Sequence, residues 1–156
     1  MNRVSAIKKI IKKNSKAVFL ISNGLSAREA NFYLKNDKSF YMLHAMGETL
    51  SVGMGMAEAN KNLRIVVIDG DYNALMGSAS WHNLTKFKNL KYYVLKNRIS
   101  QTTGSQKLPS LFIMNKLSKY INVLKISDKK TKTPNPENPM VIKDNFKKWL
   151  KLNNKI

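Results

Sequence analysis

The 156-residue chain contains no cysteine, so neither a disulfide framework nor a thiolate metal site is open to it. That absence is compatible with the cytoplasm, where we expect the protein to reside. Long hydrophobic runs are missing too. The apolar run at 17–21 is about five residues long, too short for a signal sequence and far below the roughly 20 that a membrane helix needs. The chain therefore reads as soluble and unprocessed, with no membrane partner. Arginine is scarce: of 28 basic residues only Arg3, Arg28, Arg64 and Arg98 are arginine, against nine acidic residues and a net charge of +19. Arginine's planar fork is the usual reader of phosphates and guanine edges. The lysines instead run in scattered pairs at 8–9, 12–13, 129–130 and 147–148, with no recognition-helix, zinc or aromatic ribonucleoprotein pattern beside them. They are read as a solvated surface whose field draws in an anionic substrate or an acidic partner subunit. A basic nucleic-acid-binding domain is the alternative that charge alone supports.

What is present suits a folded domain. Hydrophobic residues make up 43% of a length sufficient to bury a core without staples, and 1–156 is read as one domain without repeats. Val4, Ile7, Ile10 and Ile11 share one face at helical spacing, which predicts an amphipathic helix over 3–13. The run 17–22 suits a strand buried on both faces. Ser26-Ala27-Arg28-Glu29 has the form of a capping box, opening a helix that runs to about Leu34. A short strand is expected at 40–43, and then a helix whose small residues Ser51, Gly53, Gly55 and Ala57 pack closely against a sheet. The sequence LRIVVID at 63–69 is the clearest buried strand, followed by a Gly70-Asp71 turn, a helix over 73–87 and a strand over 91–95. Beyond Gly104 a helix is expected at 111–120, a strand at 123–126 and a proline-rich surface loop at 129–139. A last strand at 140–142 and a terminal helix capped by Asp144 complete the pattern. Alternating helices and apolar strands define an α/β fold, a three-layer sandwich with a mostly parallel sheet.

Asp71 and Asn97 lie 26 positions apart, about one strand–helix–strand unit, which puts two oxygen ligands at the C-terminal ends of neighbouring strands. Ligands bind at that edge of open α/β sheets. A carboxylate and an amide oxygen there suit a hard cation such as magnesium, which typically keeps phosphate in its shell. The loop RISQTTGSQ beyond Asn97 adds hydroxyls and backbone groups.

Gly70-Asp71 followed by Asn97 resembles the thiamine-diphosphate motif, which opens Gly-Asp-Gly and closes on an asparagine. The closer resemblance is to the sulfopyruvate and phosphonopyruvate decarboxylases, specifically their diphosphate-binding (PP) domain or subunit. Five segments carry the likeness: SNGLSARE (22–29), FYMLHAMGETLSVGMGMA (40–57), RIVVIDGDYNALMG (64–77), NLKYYVLKN (89–97) and TTGSQ (102–106). The resemblance implies thiamine diphosphate and Mg2+ as cofactors. Asp71 and Asn97 would ligate the magnesium, with the Ile99 carbonyl as third ligand. Met46 would wedge under the cofactor to hold its bent shape, and backbone near His44 and Ala45 would approach the aminopyrimidine ring. Gly70, Tyr72 and Asn73 would flank the diphosphate at a helix N-terminus, whose dipole favours anions. Two positions depart from the family: Tyr72 replaces the third glycine of Gly-Asp-Gly, and His44 the first glycine of Gly-Ser-Met-Gly. His44 is thereby the candidate acid/base or substrate contact, with a structural role as the alternative. His82 is expected to be surface or core.

The activating glutamate of this family belongs to a pyrimidine-binding domain, so Glu48 is assigned a helix or interface role. A chain of this length would hold the PP half alone, which implies an alpha subunit supplying the other half and the glutamate. The function implied is the beta subunit of a cytoplasmic heteromeric lyase, a decarboxylase of an anionic 2-oxo acid. Sulfopyruvate is favoured over phosphonopyruvate because the split-chain arrangement is more typical of it. A diverged, non-catalytic thiamine-diphosphate-binding protein is the alternative that Tyr72 and His44 motivate.

Overall fold

The computed structural model describes residues 1–108, 119–129 and 134–153. Its elements are α1 (Arg3–Lys13), β1 (Val18–Ile21), α2 (Leu25–Leu34), β2 (Ser39–Tyr41), α3 (Thr49–Ala59), β3 (Ile65–Gly70), α4 (Asp71–Met76), a 3-10 helix (Ser78–Lys86) and β4 (Leu90–Lys96). The short β5 (Ile99–Ser100) and β6 (Gln106–Lys107), then β7 (Ile121–Lys125) and α5 (Pro139–Leu152), follow. Strands β2-β1-β3-β4-β7 form one sheet, parallel at every pairing, while β5 and β6 pair as a separate antiparallel hairpin.

Side chains two apart on a strand share a face, and each central strand divides accordingly between two cores. Val18 and Leu20, Ile65 and Val67, and Tyr92 and Val94 face a core shared with α3, the 3-10 helix and the Phe146 and Leu150 side of α5. Phe19 and Ile21, Val66 and Ile68, and Tyr93 and Leu95 face α1 and α2. The sheet is thus covered on both sides, and IVVI reads as continuous apolar sequence because both faces are dry. The close packing expected of α3 is met at Gly53, where an added Cβ would lie 2.4 Å from Val67 Cγ2. Gly55 has nothing within 4 Å of an added Cβ and is not part of that contact.

Several expected elements differ. Helix α2 begins at Leu25, not at a Ser26 cap: its N-cap is Gly24, at φ +75° and without a side-chain cap bond. Ser26 and Glu29 are both buried, and Glu29 is spent on an ion pair with Arg3, so the capping-box pattern has another cause. The helix foreseen over 73–87 is α4, six residues long, broken at Gly77 and continued as 3-10 helix. Residues 140–142 are not a strand. They lie in the first turns of α5, which is capped by the Asn138 side chain with Pro139 at its start, so Asp144 is no cap. The pyrrolidine ring is preset for that first helical position and has no N–H to lose. The helix expected at 111–120 lies outside the described residues except for a turn at 119–120, as do residues 130–133 of the proline-rich loop. Residues 129 and 134–138 of that loop have no regular structure, 135–138 are exposed, and Pro139 already belongs to α5.

Candidate functional site

All five parallel strands end at one edge of the sheet, and a cleft opens there. Of the candidate residues, Met46, Gly70, Asp71, Tyr72, Asn73, Asn97 and Ile99 line it. His44 and Ala45 are exposed and do not. His82 is exposed on the 3-10 helix.

The centre of the cleft is Asp71, the first residue of α4 and only 2% exposed. Its Oδ2 accepts from the backbone N–H groups of Asn97 at 3.0 Å and Arg98 at 2.7 Å, and its Oδ1 from Tyr72 N at 3.0 Å. Burial pushes its carboxyl above the ordinary value of 3.8 while these backbone donors pull it back. The Asn97 side chain is oriented by the Ile99 N–H, which donates to its Oδ1 at 3.2 Å. Two of the non-glycine residues in the left-handed region, Ala45 (φ 59°) and Arg98 (φ 63°), sit beside Met46 and Asn97. Such backbone costs about 1–3 kcal/mol and collects at functional sites.

Behind Asp71 lies a buried polar cluster. Asp69, 1% exposed, accepts from Tyr92 Oη at 3.0 Å and Asn73 Nδ2 at 2.5 Å. Burial raises its carboxyl to about 6, against hydrogen bonds from Asn73, Tyr92 and Ser22 that lower it. An acid whose folded pKa exceeds its unfolded 3.8 binds protons better when folded, so folding stability falls as pH rises through that interval. The shift corresponds to about 3 kcal/mol. We expect the metal-free protein to lose about that much between pH 4 and 7, relative to an Asp69→Asn variant whose profile lacks this slope. Urea titrations of both across the range measure it, and parallel profiles would refute it.

Sequence reasoning missed the opposite wall of the cleft: Arg3, Ser22, Asn23, Gly24 and Ser26. SNGLSARE held the signal, since a glycine between a buried strand and a helix marks a turn that needs a positive φ, here +75° at Gly24. The uncapped first turn of α2 leaves N–H groups available at this wall. The dipole expected behind Tyr72 and Asn73 is weaker than foreseen, because α4 has only six residues.

The donor set fits a magnesium diphosphate. It offers the Asp71 carboxylate with amide and hydroxyl side chains and backbone groups around it, and no three His, Cys, Asp or Glu side chains converge among the described residues. Such a set does not cage an ion by itself, but it completes the shell of one arriving with phosphate oxygens and waters. Much of the charge lies elsewhere: Lys13, Lys16, Lys61, Arg64, Lys88 and Lys91 line a groove at the far end of the sheet. Among the described residues, no helix is long and apolar enough to cross a membrane.

Fold and cleft define a class: over residues 11–134 the chain matches the thiamine pyrophosphate enzymes' C-terminal TPP-binding domain, and it belongs to that family. Over 108 residues it is 34% identical to the sulfopyruvate decarboxylase subunit beta of Methanocaldococcus jannaschii, covering 67% of this chain and 57% of that protein. It is 33% identical to the Methanothermobacter thermautotrophicus protein of that name, at 68% and 58% coverage. Phosphonopyruvate decarboxylase of Streptomyces hygroscopicus is 32% identical, at 67% of this chain and 27% of that one. The chain thus spans little more than half the length of those beta subunits and about a quarter of the Streptomyces protein.

Proposed function

We propose that the chain is the beta subunit of a thiamine-diphosphate-dependent decarboxylase and holds the diphosphate of its cofactor through Mg2+. The observation that carries this reading is the meeting of Asp71 with the Asn97–Arg98 backbone inside a cleft that Met46, Tyr72 and Ile99 also line. Bound there, thiamine diphosphate would supply the carbon nucleophile and electron sink for loss of carbon dioxide from a 2-oxo acid. Asp71 and Asn97 would hold the metal through oxygen, with the Ile99 carbonyl as third donor. Met46 would prop the cofactor rings, with His44 and Ala45 at the pyrimidine end. Tyr72 would contact phosphate through its hydroxyl or turn aside to admit it.

The relatives' names as subunit beta favour an alpha partner carrying the pyrimidine-binding domain and the activating glutamate. They also favour sulfopyruvate as substrate, with phosphonopyruvate second. We place the heteromer in the cytoplasm. A non-catalytic cofactor binder is a second reading, because His44 stands exposed outside the cleft and a half-buried tyrosine lines it.

The test combines the chain with its alpha partner, thiamine diphosphate and Mg2+, and measures carbon dioxide from sulfopyruvate, phosphonopyruvate and pyruvate. Turnover of sulfopyruvate well above pyruvate is expected. Cofactor binding with no turnover of any acid would replace the decarboxylase by the second reading.

A further inference from the structure

Asn73 was expected only to flank the diphosphate, yet its side chain is committed elsewhere. Its Oδ1 accepts from Gly47 N at 2.8 Å, and its Nδ2 donates to Thr49 Oγ1 at 3.1 Å and to Asp69 Oδ1 at 2.5 Å. One buried amide therefore joins the end of β3, the start of α3 and the turn that carries Met46. The other end of α4 grips the same turn. Gly47 stands at φ +88°, and a Cβ on Gly77 would lie 2.1 Å from the Gly47 carbonyl oxygen, so the two backbones touch there. Residues 71–77 thus hold Asp71 at their first position and clasp Gly47 at positions 73 and 77.

We propose that Asn73 is a positioning residue that fixes the height of Met46 relative to the Asp71–Asn97 edge. It thereby sets the cofactor's rings against its diphosphate. The role rests on the cofactor reading above, and it separates two demands of the ligand. The diphosphate needs Asp71 and Asn97, whereas the rings need Met46. Loss of the clasp releases the second demand and leaves the first. The Gly47 N–H, held by the Asn73 amide, is also protected from solvent in the free protein.

The test titrates Mg-thiamine diphosphate and Mg-pyrophosphate into complexes of the alpha partner with the wild type, Asn73→Ala, Met46→Ala and the double variant. Asn73→Ala is expected to weaken thiamine diphosphate about tenfold or more while changing pyrophosphate by less than about threefold. The double variant is expected to lose little beyond Met46→Ala, since coupled residues are not additive. Equal weakening of both ligands marks a general structural role and overturns the proposal, as do additive losses. Wild-type protein that binds neither ligand overturns the cofactor reading and this role with it. Wild type that binds both, while Asn73→Ala loses neither, overturns the clasp alone. Should Asn73→Ala fail to fold, amide exchange in the wild type still decides. Gly47 slower than Ala45 by about tenfold or more supports the clasp, and equal rates overturn it.

Discussion

Asp71→Asn should abolish the Mg2+ dependence of pyrophosphate binding while leaving metal-free binding within about threefold of wild type. The carboxylate is fixed by three backbone donors, from Tyr72, Asn97 and Arg98, so its position is set before any ligand arrives. Preorganisation of that kind is what a metal ligand needs, because an oxygen that must be ordered on binding costs side-chain entropy. The asparagine amide keeps the shape and one acceptor oxygen, but it brings no charge to a divalent ion and points two hydrogens where Oδ2 now accepts. Loss of Mg-dependent affinity by about a hundredfold or more is therefore expected, beyond the 10–100-fold typical of residues that only support a ligand. Calorimetric titration of pyrophosphate at several Mg2+ concentrations measures the linkage. If Asp71→Asn keeps the wild-type Mg2+ dependence, the metal is not held at Asp71. Asp71→Ala is a poorer probe, since it strands three N–H groups, each at a cost of about 1–3 kcal/mol if they stay dry.

The candidate residues that came together are those tied to strand ends. Asp71 and Asn97 were readable because IVVID and YYVL are apolar on both faces, and parallel neighbours joined by a crossover end at one edge. What was not readable depends on pairings that sequence distance hides. Ser26 and Glu29 have capping-box spacing, yet Glu29 answers to Arg3, 26 positions upstream, and Ser26 already lies inside the helix. The break at Gly77 falls on a poor helix former whose backbone also meets Gly47, thirty positions earlier, a contact that sequence distance hides. The start of α5 is different: Asn138-Pro139 was a legible start signal, overridden by giving the apolar triplet 140–142 a strand's period. The hairpin of β5 and β6, which carries Ile99, is two residues a side, too short to show alternation.

Arg3→Met is expected to cost about 3–5 kcal/mol of folding stability, the largest single loss we assign to a residue that ligates nothing. The guanidinium donates to Glu29 Oε1 at 2.9 Å and to the Gln101 side chain, and Gln101 in turn donates to the Asp128 carbonyl. Glu29 is fully buried, so losing the guanidinium leaves its carboxylate in a low-dielectric layer between α1 and α2. Desolvating a charge without its counter-charge is the expensive half of a buried pair; the pair itself is close to neutral against an apolar substitute. The double variant Arg3→Met/Glu29→Leu should accordingly recover most of the loss, which denaturant titration reads as a return of the midpoint toward wild type. A second effect should not recover. With Arg3 gone from the cleft wall, nothing in the double variant replaces its bond to Gln101, and Gln101 follows directly on Ile99 and Ser100. The loop beyond Asn97 should then be looser, and Mg-pyrophosphate affinity should stay reduced by about threefold to tenfold after stability is restored. Full recovery of both properties would confine Arg3 to the core and remove it from the cleft.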